Sequence, residues 1–81
     1  MVKTLTYAQL RQALARLGFV EHSVPGGTVF WEEQTKTRLT LPEMPAEAPL
    51  LARHLSVTRA LIVKSGVAEA ADFERALEQA A

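Results

Sequence analysis

The feature that most constrains this chain is a change of hydrophobic period at Gly18. Before it, Tyr7, Leu10, Leu14 and Leu17 recur at spacings of three and four, with Ala13 beside them. That spacing places one apolar stripe on a helix. Thr6-Tyr7-Ala8-Gln9 has the form of a capping box, so the helix is expected to start there and to end at Gly18 in the left-handed conformation. From Phe19 the period becomes two. Val20, His22 and Val24 fall on one side of an extended segment, and Phe19, Glu21 and Ser23 on the other. Pro25-Gly26-Gly27 breaks that strand. Thr28 to Glu33, with Val29, Phe30 and Trp31, forms a second; after the polar turn Gln34-Thr35-Lys36, Thr37 to Leu41 alternates as a third and stops at Pro42. Two tight connections in succession predict an antiparallel three-stranded meander with helices packed on one face.

Residues 42 to 49 contain Pro42, Pro45 and Pro49 and read as a stiff connection within one domain spanning 1–81. A helical turn over Leu50 to Leu55 is followed by Ser56, the expected N-cap of a helix running to Lys64 or Ser65 and closed by Gly66. Ala70, Phe73, Leu77 and Ala80 repeat the first helix's spacing and predict a terminal helix with Glu69, Asp72, Glu74, Arg75 and Glu78 outside. The class is therefore α+β. Its core must be thin, because 13 of the apolar residues are alanine in a chain of only 81.

Nine basic and nine acidic residues give zero formal charge, which argues against a strongly cationic nucleic-acid binder. The zero conceals blocks: residues 1–20 carry Lys3, Arg11 and Arg16 with no acid, and residues 51–66 carry Arg53, Arg59 and Lys64. Residues 21–50 and the tail are each acidic by three charges. The plainer reading of this pattern is solvated faces that pair with one another. The chain has no cysteine, so disulfides, zinc-thiolate sites and thiol catalysis are excluded; a reducing cytoplasmic setting is the natural expectation. Two distant histidines make no metal site, and no cofactor motif is present. No apolar run has the length of a membrane span and no secretory stretch follows Met1 to Lys3, so the chain reads as soluble and complete.

The order helix, three-stranded meander, helix is that of a double-stranded-RNA-binding-domain-like (dsRBD-like) α-β-β-β-α fold, here with an extra C-terminal helix. Within it, Leu17-Gly18-Phe19 ends the first helix, Gly26-Gly27-Thr28 opens the second strand and Trp31 follows three residues later. Leu41-Pro42 closes the third strand; Leu61-Ile62-Val63-Lys64-Ser65-Gly66-Val67 and Asp72-Phe73 complete the series. In this order the elements, from Leu5 to about Leu77, resemble the HicA toxins, small ribosome-independent mRNA interferases of bacterial toxin-antitoxin pairs. The resemblance implies RNA as ligand, a HicB-like antitoxin as partner and a nucleic-acid surface over Gly26, Gly27, Thr28, Trp31 and Arg38. This chain departs from the family at one position. The histidine to which the family's RNA cleavage is attributed falls at Thr28, and threonine exchanges no proton near neutral pH.

Three readings follow. The leading one is a HicA-like domain that binds RNA or a protein partner without the family's ribonuclease activity. The second is an active mRNA interferase whose base is His22, on the strand beside Thr28, assisted by Glu32, Glu33 or Arg38. The third is a homodimeric interaction module with no RNA role, assembled through the terminal helix or a strand edge. The plainer alternatives are that His22 is an ordinary strand residue, Trp31 a packing residue, and His54 a surface or capping residue.

Overall fold

The computed structural model describes residues 5–80; Lys3 of the first basic block lies outside the described residues. The elements run α1 (Tyr7–Arg16), β1 (Val20–Val24), β2 (Gly27–Glu32), β3 (Thr37–Pro42), α2 (Ala52–Ser65) and α3 (Ala70–Gln79). The α+β layout expected from the period switch is the one observed.

The entry to α1 shows why the chain commits to helix at Thr6. The Gln9 amide donates to the Thr6 hydroxyl at 3.3 Å, and the Gln9 side chain accepts from the Thr6 amide at 2.9 Å. The next two orphan donors are met by the proline-stiffened loop: Tyr7 N–H donates to Ala48 and Ala8 N–H to Ala46. The connection over residues 42–49 is therefore a second cap on α1. At the other end Gly18 adopts φ 99°. Its amide reaches the Ala15 carbonyl while the Phe19 amide reaches Leu14, the Schellman arrangement, with Leu14 and Phe19 both buried beneath it. This turn aims Phe19 into the core and launches β1.

The sheet has the order β1-β2-β3, antiparallel throughout. Register pairs Val20 with Trp31 and Arg38, Glu21 with Phe30 and Leu39, His22 with Val29 and Thr40, and Ser23 with Thr28 and Leu41. Phe30, Leu39 and Leu41 are buried on the helix side, with Leu10, Ala13, Leu14, Phe19, Ile62, Phe73, Ala76 and Leu77. Burying a side chain such as Phe73 stabilises by about 1.5–3 kcal/mol, so few residues hold this fold.

One expectation needs correction. Helix α2 starts after Leu51, not after Ser56, and has no side-chain cap. Its start is set by the segment before it: Pro49 bridges to Thr6, and the Leu50 amide donates to the Leu5 carbonyl at 2.8 Å. Those contacts hold the chain extended until Leu51, and burial of Thr58 and Ile62 outweighs the local preference of Ser56. The terminal helix α3 buries Phe73, Ala76 and Leu77 in the chain's own core and packs on α1.

Among the described residues two ion pairs join a basic block to an acidic one. Arg11 grips Glu21 through Nε at 3.0 Å and NH2 at 2.6 Å, and Arg59 meets Glu74 at 2.9 Å. Arg16 donates to the Gln79 side chain. No helix among the described residues is long and apolar enough to cross a membrane.

Candidate nucleic-acid interface

Helices cover one face of the sheet only. The other face carries Val20, Trp31 and Arg38 in one cross-strand row and His22, Val29 and Thr40 in the next. Val24, Gly27 and Pro42 close its end. Val20, His22, Val24, Arg38 and Thr40 are exposed, while Val29 and Trp31 are half-buried between their neighbours. This is an apolar and aromatic surface with one guanidinium and one imidazole.

Trp31 and Arg38 sit side by side because β2 and β3 are joined by a tight hairpin whose register a single carboxylate fixes. Glu32 accepts from the Thr35 hydroxyl at 2.7 Å and from the amides of Gln34 at 2.7 Å and Thr35 at 2.9 Å. The Thr35 hydroxyl bond, followed by the Gln34 amide, holds the Glu32 carboxyl below its ordinary value. The hairpin closes through Lys36 at φ 53°. At the rim, Trp31 Nε1 donates to Glu33 at 2.6 Å, and Glu33 also meets Lys36 at 3.6 Å. The indole is thereby anchored by its edge.

The residues expected to form one site are divided by the sheet. Trp31, Arg38 and His22 share the open face, Gly26 sits in the turn at its end and Gly27 opens β2. Thr28 points the other way, into a small cleft lined by Tyr7, Arg11, Phe30, Leu41, Pro42 and Met44. His22 therefore does not stand beside Thr28, whose β1 neighbour is Ser23. One-residue steps along a strand reverse the face, so adjacency of two strands does not by itself bring two side chains together. Nor do the proposed assistants gather around His22. Glu32 is buried on the helix side and committed to the hairpin, and Glu33 is held by Trp31 and Lys36. Arg38 lies two strands away in the adjoining row, roughly 10 Å or more at strand spacings of ~4.8 Å. No base and acid converge on one point of this face.

Gly26 and Gly27 have backbone duties. Gly26 takes φ 81° in the β1–β2 turn, and a Cβ on Gly27 would run into the Leu41 carbonyl of β3. His54 is more than a surface group: its Nδ1 lies 2.6 Å from the Tyr7 hydroxyl. Neither member of that pair carries a sequence signal for the other, 47 residues apart. A concavity of about 450 Å³ lies between the end of α1, the β2–β3 hairpin and Gly66-Val67. Its inner carboxylate, Glu32, is already saturated by the hairpin, and no histidine lines it. Among the described residues no three His, Cys, Asp or Glu side chains gather to hold a metal ion.

No protein-family model, no curated protein and no solved structure matches the chain.

Proposed function

We propose that this chain is a HicA-like domain of the cytoplasm that binds single-stranded RNA on its open sheet face and does not cleave it. The observation that carries the reading is the adjacency of Trp31 and Arg38 on the uncovered side of β2 and β3. A flat indole offers stacking to any base, and a neighbouring guanidinium offers a phosphate contact or a second stacking plane. Single strands suit such a face because their bases are free to splay onto a sheet. The element order, the Schellman turn at Leu17-Gly18-Phe19 and the glycine turn before Thr28 support the likeness to the toxins.

The absence of cleavage follows from chemistry at two places. Thr28 has no titrating group, and the cleft it lines contains Arg11 but no carboxylate or imidazole. His22 faces the opposite side and lacks an acid partner in reach. Metal-free phosphodiester cleavage needs both a base for the 2′-hydroxyl and an acid or cation at the leaving oxygen.

The test uses labelled oligouridine of about 10 nucleotides, within the usual site size of small sheet-based binders. Anisotropy at low salt should rise saturably, and fluorescence of Trp31, the single tryptophan, should be quenched in step. Trp31→Ala should weaken binding roughly 5- to 150-fold, the range for loss of one stacked base. The RNA should remain full length after prolonged incubation. Failure to bind at low salt, or binding that Trp31→Ala leaves unchanged, overturns the interface; shortened RNA overturns the non-cleaving part.

A further inference from the structure

The β1 strand is an edge with all five residues exposed, from Val20 to Val24. Val20 is 55% and Val24 39% exposed, the only large apolar side chains so exposed on the sheet. Soluble proteins usually guard such edges with lysine, proline, a bulge or a covering element. The opposite edge has such guards: β3 ends on Pro42, and α2 packs against it. The β1 edge has none of them.

We propose that β1 pairs antiparallel with β1 of a second copy, centred on His22, to join two three-stranded sheets into one of six strands. The argument is the self-complementarity of the strand. Val-Glu-His-Ser-Val, folded against itself about its middle residue, places Val20 opposite the second copy's Val24 at both ends. It places Glu21 opposite Ser23, and His22 opposite its own symmetry mate. No two carboxylates face each other, and Glu21 is already neutralised by Arg11 from α1, on the helix side of the sheet. The two exposed valines and His22 share the open face, so one twofold contact covers both apolar ends. A one-residue slip would put Val20 opposite Ser23 or Val24 opposite Glu21 and leave no valine facing a valine, so side-chain matching favours this register.

The paired strands are short. An interface of five residues a side falls at or below the ~1,200 Å² end of specific contacts, so the dimer should be reversible, with a dissociation constant on the order of 10–100 µM. The proposal does not rest on the RNA reading, since strand pairing uses the free backbone edge of β1 while Trp31 and Arg38 lie on β2 and β3, and it is tested without RNA.

Sedimentation equilibrium across that concentration range should show monomer passing to dimer, and no further. Val20→Lys/Val24→Lys should remain monomeric at every concentration, with an unchanged circular dichroism spectrum because both positions are exposed. The natural chain has no cysteine, so single cysteines report the register. His22→Cys should form a disulfide-linked dimer on mild oxidation, since opposed strand residues lie ~4.5–5.5 Å apart at Cα, within disulfide reach. Val24→Cys should not, because its own mate lies four residues away, roughly 13 Å. A wild-type chain that stays monomeric overturns the proposal. So does a lysine variant that dimerises like the wild type, or a Val24→Cys chain that cross-links as fast as His22→Cys. Dimerisation lost only when another protein's extended segment is added supports the same edge; binding of such a segment without any self-association overturns the second copy as its occupant.

Discussion

The hydroxyl of Tyr7, at the first residue of α1, lies 2.6 Å from Nδ1 of His54 in the first turn of α2, with the two rings edge-on at 5.9 Å. Tyr7 is buried, so the bond joins two helix entries across the loop that also caps α1. Tyr7→Phe keeps the ring and removes the partner of a half-buried imidazole. The expected cost is about 1 kcal/mol, or roughly 4–8 °C in melting temperature for a domain this small. Thermal unfolding followed by circular dichroism measures it, and an unchanged midpoint would show the bond to be immaterial.

Gly26 in the β1–β2 turn and Gly27 at the start of β2 should respond differently to alanine. At Gly26 nothing stands within 4 Å of an added Cβ, and only the φ of 81° resists it, at a cost of roughly 1–2 kcal/mol. At Gly27 the added atom collides with the Leu41 backbone, so β2 and β3 must part at their end. Gly27→Ala should therefore be the more destabilising, by about 2–3 kcal/mol in total. Denaturant titration of the two variants compares them directly; equal midpoints would contradict the close approach of the strands.

Glu32 makes the hairpin sensitive to acid. Its folded carboxyl titrates below the ordinary value of 4.5 because the Thr35 hydroxyl and the hairpin amides stabilise the anion. The unfolded chain thus takes up that proton at a higher pH than the folded one. The stabilisation is complete above about pH 4.5 and is lost as pH falls through the lower folded value. Glu21, lowered mainly by its hydrogen bond from Arg11, acts in the same direction. Glu32→Gln should melt below wild type at pH 7, with the gap closing as pH falls below about 4.5. Parallel melting curves across that range would refute a role for the ionised group.

Much of the framework was legible in the sequence because it rests on local signals. The Thr6/Gln9 box, the left-handed Gly18 and Gly66, and the change of period at Phe19 are each contained within a few residues. What could not be read is what depends on distant partners. Ser56 looks like a cap, yet α2 begins at Ala52 because Pro49 and Leu50 bind the entry of α1. The candidate site was half legible. Alternation separates His22 from Glu21, but the register between strands decides that His22 and Thr28 face apart while Trp31 and Arg38 meet. The Tyr7–His54 bond and the burial of Thr58 have no sequence signature at all.

Arg38 and Trp31 should affect RNA binding in separable ways. A phosphate contact releases counterions, so the slope of log affinity against log salt for a single strand changes by about 0.7 per contact. Arg38→Ala should flatten that slope by about this amount. Trp31→Ala should weaken binding at every salt concentration and leave the slope as it was, since stacking displaces no ions. Anisotropy titrations at several salt concentrations distinguish the two, and a flattened slope for both would mean that the indole acts through its charged neighbours instead.

Thr58 offers a stabilising substitution. It is fully buried in α2, and its hydroxyl has no hydrogen-bond partner among the described residues. A hydroxyl desolvated without compensation costs roughly 1–3 kcal/mol by mutational measures. Valine matches threonine in shape and in β-branching, so the helix loses nothing in backbone preference. Thr58→Val should therefore raise stability by about 1 kcal/mol, seen as a higher denaturant midpoint at an unchanged slope. Ile62, one turn further along the same buried side, sets the opposite control: Ile62→Ala should cost about 2–5 kcal/mol. Destabilisation by Thr58→Val would mean that the hydroxyl is bonded in solution, and hydrogen exchange at the preceding turn of α2 would then locate its acceptor.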